Sequence, residues 1–181
     1  MNTASATYKI ALIGEPGAGK TTCIAAVSDI APVVTDVACT DELAQIKETT
    51  TVAMDYGEMA LGNGERLLLY GLPGQTRFRF MLDAVRNGLV GLVVLVDARA
   101  PDPMKGLAET VDAYADALQA LPCVVVVNKP EGDEQALLAR VQTALRQRQL
   151  VAPIIAADVR NKDEMALIFE LIFLCAEYGD V

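Results

Sequence analysis

Eight residues, Gly14-Glu15-Pro16-Gly17-Ala18-Gly19-Lys20-Thr21, fit the pattern G-x-x-x-x-G-K-[ST], and few stretches this short restrict a fold so tightly. The glycines let the backbone close into a nest of inward-pointing N–H groups, and a helix starting near Lys20 adds the positive end of its dipole. Such a hollow takes phosphate oxygens. Lys20 would bridge the terminal phosphates, and the Thr21 hydroxyl is a hard oxygen donor of the kind Mg²⁺ prefers. A short pattern also arises by chance, so its surroundings decide. Tyr8 to Ile13 reads as a strand before the loop and Thr21 to Val27 as a helix after it, which is the context the chemistry needs. The alternative, a glycine-rich turn without a ligand, would leave inward N–H groups unpaired.

The rest of the composition narrows the class. A chain of 181 residues, 52% apolar, fits one domain over residues 1–181, with residues 1–6 as a flexible tail. Its 15 basic against 24 acidic residues, net −9, exclude the broad basic field that nucleic acid phosphates demand. Cys23, Cys39, Cys123 and Cys175 lie far apart and there is no histidine, so neither a zinc site nor a disulfide framework is expected. The amino terminus reads as neither signal peptide nor myristoylation site, Cys175 is too far from the carboxyl end for prenylation, and the apolar runs are too short to cross a bilayer. The expectation is a cytoplasmic protein without direct membrane insertion.

In chain order, Ala31-Pro32 ends the first helix, and Val33 to Thr51 is polar, threonine-rich and without clear period, which reads as a long loop. Val52 to Leu61 alternates as a strand, Gly62-Asn63-Gly64 has turn chemistry, and Arg66 to Tyr70 returns antiparallel. Gly71 to Gln75 reads as a second loop and Thr76 to Asn87 as a helix. Strand and helix then alternate: Leu89 to Asp97, Met104 to Ala120, Pro122 to Asn128, Asp133 to Leu150, Val151 to Ala157 and Asn161 to Tyr178. That order implies an α/β fold, a mostly parallel six-stranded sheet with helices on both faces. Ligands in such sheets bind beyond the carboxyl ends of the strands, where four loops would meet: Gly14 to Thr21, Leu72 to Gln75, Asn128 to Glu131 and Ala157 to Arg160.

With these motifs on one rim, the chain resembles the Ras superfamily of small GTPases from Tyr8 to Tyr178. The stretches Thr51-Val52-Ala53-Met54-Asp55-Tyr56 and Pro73-Gly74-Gln75-Thr76-Arg77-Phe78 look most like its prokaryotic branch. The resemblance implies nucleotide contacts from Gly17, Ala18, Gly19, Lys20, Thr21 and Thr22, from the Gly74 N–H, from Asn128, Lys129 and Glu131, and from Asp158 and Val159. It implies Mg²⁺ as cofactor, held by Thr21 and Thr51, with Thr49 and Thr50 as alternatives in register. Gln75 would be the catalytic residue, orienting the attacking water; phosphoryl transfer needs such positioning more than a base.

Three departures bear on chemistry. Gly71 stands where the family has the aspartate that holds Mg²⁺ through water, with Asp55 and Asp97 as conceivable substitutes or as structural strand-end residues. Pro16 fixes φ and removes one donor from the phosphate loop. Glu131 stands where the guanine-reading motif has aspartate; a carboxylate pairs with guanine's two N–H donors and finds no such pair on adenine. The alternative reading of Glu131 is a solvated turn.

Arg77 and Arg79 are candidates for a charge-stabilising finger, or solvated residues at a helix start. Arg140, Arg146 and Arg148 suit an exposed helix face. The last helix has a narrow acidic stripe, Asp163, Glu170 and Glu177, and an otherwise broad apolar surface, which is either a partner face or deep packing. The expected function is a GTP-hydrolysing molecular switch in signal transduction, acting with effectors and an activating protein of the roadblock type. A nucleotide-binding interaction module with little hydrolysis, or a small ATPase or kinase on the same loop, are the alternatives.

Overall fold

The four valines Val124 to Val127 offer no polar face to water, and each is wholly buried. They belong to a seven-stranded sheet that the computed structural model builds from residues 6–37, 52–129 and 132–178, the residues it describes. In chain order the elements are β1 (Thr7–Gly14), α1 (Lys20–Val27), β2 (Val33–Val37), β3 (Val52–Ala60), β4 (Arg66–Pro73), α2 (Phe80–Val85), β5 (Leu89–Asp97), α3 (Pro103–Ala113), α4 (Ala115–Ala120), β6 (Cys123–Asn128), α5 (Glu134–Gln147), β7 (Ile154–Ala157) and α6 (Lys162–Tyr178). The sheet order is β2-β3-β4-β1-β5-β6-β7, with β2 and β3 antiparallel to their neighbours and the remaining pairs parallel.

Side-chain alternation along the strands builds a core on each face. Ala11, Ile13, Val94, Val125 and Val127 point to one side, where α2, α3, α4 and α5 contribute Met81, Leu107, Val111, Leu118, Val141 and Leu145. Ile10, Leu12, Val93, Val124 and Val126 point to the other, against Ile24 and Val27 of α1 and Met165, Ile168, Phe169 and Ile172 of α6. Both faces are covered, as an all-apolar parallel strand requires.

The α/β class with helices on both faces is as expected, and several details differ. The sheet has seven strands rather than six, because Val33–Val37 pairs antiparallel with Val52–Tyr56 instead of opening a loop. Its β-branched residues favour extended backbone; Pro32 and the threonine-rich residues after it masked that preference. β4 runs on through Pro73, held by parallel pairing to β1 as far as Gly14, so the second loop begins after Pro73 and not at Gly71. The helix expected over 76–87 is a 3₁₀ turn, Thr76–Phe78, followed by the short α2. The helix expected over 104–120 is two helices broken at Tyr114, and β7 starts at Ile154, three residues later than expected. Gly62–Gly64 closes the β3–β4 connection as a 3₁₀ turn. Among the described residues no helix is long and apolar enough to cross a membrane.

Candidate functional site

The parallel strands end together: Gly14 pairs with Pro73, Asp97 with Asn128 and Asn128 with Ala157, so their following loops crowd one rim. The loop after β1 turns through Gly17 (φ 83°) and Gly19 (φ 108°), backbone values that side-chain-bearing residues avoid. At Gly19 space forbids a side chain as well, since a Cβ there would lie 2.5 Å from Asn128 Nδ2. α1 then starts with no side-chain cap, leaving its first N–H groups directed into the loop.

Lys20 folds back over this loop, its ammonium donating to the carbonyls of Gly14 at 2.7 Å and Glu15 at 2.9 Å. Burial pulls its pKa down, and the nearby Asp55 and Glu15 carboxylates oppose that shift. The Gly14 carbonyl accepts a second bond, from the Gly74 N–H at 2.9 Å. Gly74 is wedged there: a side chain would collide with Thr110 Oγ1 of α3, and the Tyr114 hydroxyl of the same helix region donates to Pro73 O at 2.7 Å. The break between α3 and α4 places that hydroxyl. Thr110 Oγ1 is buried and has no hydrogen-bond partner among the described residues.

The missing aspartate at Gly71 has a counterpart. Asp55 on β3 lies directly across the strand pair from Gly71, and a Cβ on Gly71 would stand 3.0 Å from Asp55 Cβ and 3.1 Å from its Oδ2. Asp55 fills the space a side chain at 71 would occupy and accepts from the Thr21 hydroxyl at 2.6 Å. A hydroxyl and a carboxylate side by side at the start of α1 are hard oxygen donors, a set that suits Mg²⁺. Asp97 does otherwise: its Oδ2 accepts from Lys129 Nζ at 3.0 Å. Thr51, with Thr49 and Thr50, lies outside the described residues.

Asn128 joins three loops. It is wholly buried, its Nδ2 donating to Ala18 O at 2.9 Å and its Oδ1 accepting from the Val159 N–H at 3.3 Å, so both ends are satisfied. Lys129 holds a left-handed backbone (φ 56°) and reaches Gly17 O at 3.1 Å. Gly17, Ala18, Gly19, Asn128, Lys129 and Val159 are thereby brought into one cluster of contacts, while Lys20 and Thr21, next in the chain, bond Gly14, Glu15 and Asp55. Asp158 turns outward to Arg160, whose guanidinium holds its carboxyl down at about 2. Thr22 is exposed on α1, and Glu131 lies outside the described residues.

Gln75 stands at the start of the 3₁₀ turn, and its Oε1 accepts from Arg77 Nε at 3.1 Å while the guanidinium lies over the Phe78 ring. Arg77 is exposed in that turn, as the solvated reading expects, and these two contacts are with its near neighbours. Arg148 pairs with Asp112, at 2.7 Å. Sequence reasoning passed over Glu15, which points away from the loop's hollow into a cleft of about 410 Å³ beside α3, lined by Pro16, Asp102, Lys105 and Glu109. Burial and the Glu109 carboxylate push its pKa up, with Lys20 and Lys105 opposing. Nothing in the motif announces which way its second residue points.

Known proteins share this fold. GTPase Obg of Synechocystis sp. is 25% identical over 172 residues, spanning 87% of this chain and 43% of that protein. Ras-related protein RabC of Dictyostelium discoideum is 22% identical over 173 residues, spanning 91% of this chain and 81% of the relative. This chain thus covers less than half of the Obg protein's length. Among solved structures, the FeoB G-domain from Methanococcus jannaschii superposes with a TM-score of 0.54 at 17% identity, covering 92% of this chain and 97% of that one. The cytosolic domain of L. pneumophila FeoB superposes with a TM-score of 0.59 at 17% identity, covering 93% and 64%. The fold is that of a small-GTPase-like G-domain, and site and family together support nucleotide binding. A family model matches residues 33–174, and the chain belongs to that family, described as conserved hypothetical ATP binding protein.

Proposed function

We propose that the chain is a GTP-binding molecular switch that hydrolyses GTP to GDP with Mg²⁺. The observation that carries this reading is the Gly14 carbonyl, which accepts from both Lys20 Nζ and the Gly74 N–H. A terminal phosphate offers oxygens to the same two donors. Binding a triphosphate exchanges both bonds, so the loop after β4 registers whether the third phosphate is present. Pro73 and Gly74 are held against α3 by Tyr114 and Thr110, so the exchange is felt beyond the loop.

The other roles follow from placement. Thr21 would hold Mg²⁺ directly, together with Thr51, and Asp55 would hold it through water. An ion held there would supply positive charge against the phosphates. Asn128 and Lys129 would brace the base pocket, with Glu131 pairing to guanine's two N–H donors and Asp158 and Val159 closing the pocket from β7. Gln75 would orient the attacking water. Its carbonyl oxygen accepts from Arg77 and keeps a second lone pair for water; with Pro16 removing one donor from the phosphate loop, slow intrinsic turnover is the expectation. An activating protein, of the roadblock type or another, and effectors would read and reset the loops.

Turnover tests the reading: phosphate release from GTP under single-turnover conditions should be measurable in the wild type and abolished in Gln75→Leu with GDP affinity unchanged. Equal rates in the two proteins would refute the catalytic assignment. The family's description as ATP binding favours a second reading, ATP in the same pocket. Tighter competition by ATP than by GTP would establish it.

A further inference from the structure

α6 has two apolar faces, and the described residues cover one of them. Met165, Ile168, Phe169 and Ile172 are buried in the core beneath α6. On the outer face Leu167, Leu174 and Tyr178 are 64%, 52% and 66% exposed, with Leu171 half-buried between them. The positions are spaced four, three and four, the seam by which helices pair. Asp163, Glu170 and Glu177 run along one side of that seam, seven residues apart, and among the described residues no ion pair engages them.

The helix itself does not explain this row. Asp163 suits the first turn, but Glu177 lies at the carboxyl end, in a last turn without a basic residue, where its charge meets the negative pole of the dipole. A cation supplied from outside would compensate it. A second copy of the chain is a poor source: antiparallel pairing along the seam sets one acidic row against the other, and each chain carries net −9. An anionic lipid surface is repelled for the same reason. We infer that the outer face of α6 docks an amphipathic helix of a partner protein, with a leucine-type seam bordered by Lys or Arg at heptad spacing.

Two labelled three-heptad peptides test this by fluorescence anisotropy against the full chain, both with leucine seams, one bordered by lysine and one by glutamate. The lysine peptide should bind and the glutamate peptide should not. Leu167→Ser with Leu174→Ser should weaken binding at least about tenfold with thermal unfolding and nucleotide binding unchanged. Glu170→Lys with Glu177→Lys should reverse the peptide preference. The inference is overturned if neither peptide binds or if the leucine variant binds as tightly as the wild type. It is equally overturned if light scattering finds a dimer, or phosphatidylglycerol vesicles find a membrane contact, that the leucine variant abolishes.

Discussion

Replacing Asp55 by Asn keeps the side chain's shape and an acceptor for the Thr21 hydroxyl while removing the charge. The bond is short, 2.6 Å, and charge-assisted. Without metal, its weakening costs about 1 kcal/mol. With Mg²⁺ the loss is larger, because an outer-shell carboxylate typically contributes about 10–100-fold in metal affinity, or about 1.4–2.7 kcal/mol. Asp55 also favours the charged form of Lys20 against the burial that disfavours it. In Asp55→Asn the ammonium therefore deprotonates at lower pH than in the wild type, and nucleotide affinity on the alkaline side falls off earlier. The assay is release of a fluorescent GDP analogue across a Mg²⁺ titration; the variant's midpoint should move to about 10–100-fold higher Mg²⁺. The register pairing of Asp55 with Gly71 supplies a second arm. Gly71→Asp alone should destabilise the protein, since the new Cβ would lie 3.0 Å from Asp55 Cβ, whereas Asp55→Gly with Gly71→Asp should recover much of the Mg²⁺ response. A coincident midpoint for Asp55→Asn, or a swap no better than Asp55→Gly, would refute the reasoning.

Asn128→Ala leaves Ala18 O and the Val159 N–H without their partner in a buried site, and should lower stability by about 2–4 kcal/mol in urea unfolding. Phe169→Ala, at a side chain 1% exposed, should cost about 3–5 kcal/mol, while Leu167→Ala on the same helix, 64% exposed, should cost well under about 1 kcal/mol. Tyr114→Phe removes the donor to Pro73 O and should cost about 1 kcal/mol and quicken hydrogen exchange around Gly74. Burial pushes the Cys23 thiol from an ordinary 9.0 up to about 12, so above 9.0 the unfolded chain releases a proton that the folded chain keeps, and stability falls as pH rises. Between about pH 8 and about pH 10 Cys23→Ala should remove roughly 1.4 kcal/mol of that decline. Identical slopes for the two proteins would contradict it.

Much of this architecture was legible because it is written locally. The phosphate loop announces itself through Gly14, Gly19, Lys20 and Thr21, and the apolar run Leu89 to Asp97 became β5 with its expected bounds. What escaped depends on neighbours distant in sequence. Val33–Val37 is a strand because β3 lies beside it, and β4 reaches Pro73 because β1 pairs with it that far. Tyr114 lies inside a good helical pattern, and the break there accompanies a bond to Pro73, 41 residues away. Asp55 was one of two conceivable replacements for the absent carboxylate; strand register, invisible to periodicity, set it against Gly71 and gave Asp97 to Lys129. The outward-facing half of α6 was similarly undecided until its buried half was known.

Equilibrium binding of labelled GDP, a non-hydrolysable GTP analogue and ATP, each with Mg²⁺ and with chelator, tests the central proposal most directly. The proposal predicts preference for both guanine nucleotides over ATP, with the triphosphate analogue weakened most by chelation, since Thr21 and Asp55 stand together at the start of α1. ATP bound as tightly as GTP, guanine nucleotides bound without regard to Mg²⁺, or no nucleotide bound at all would contradict it.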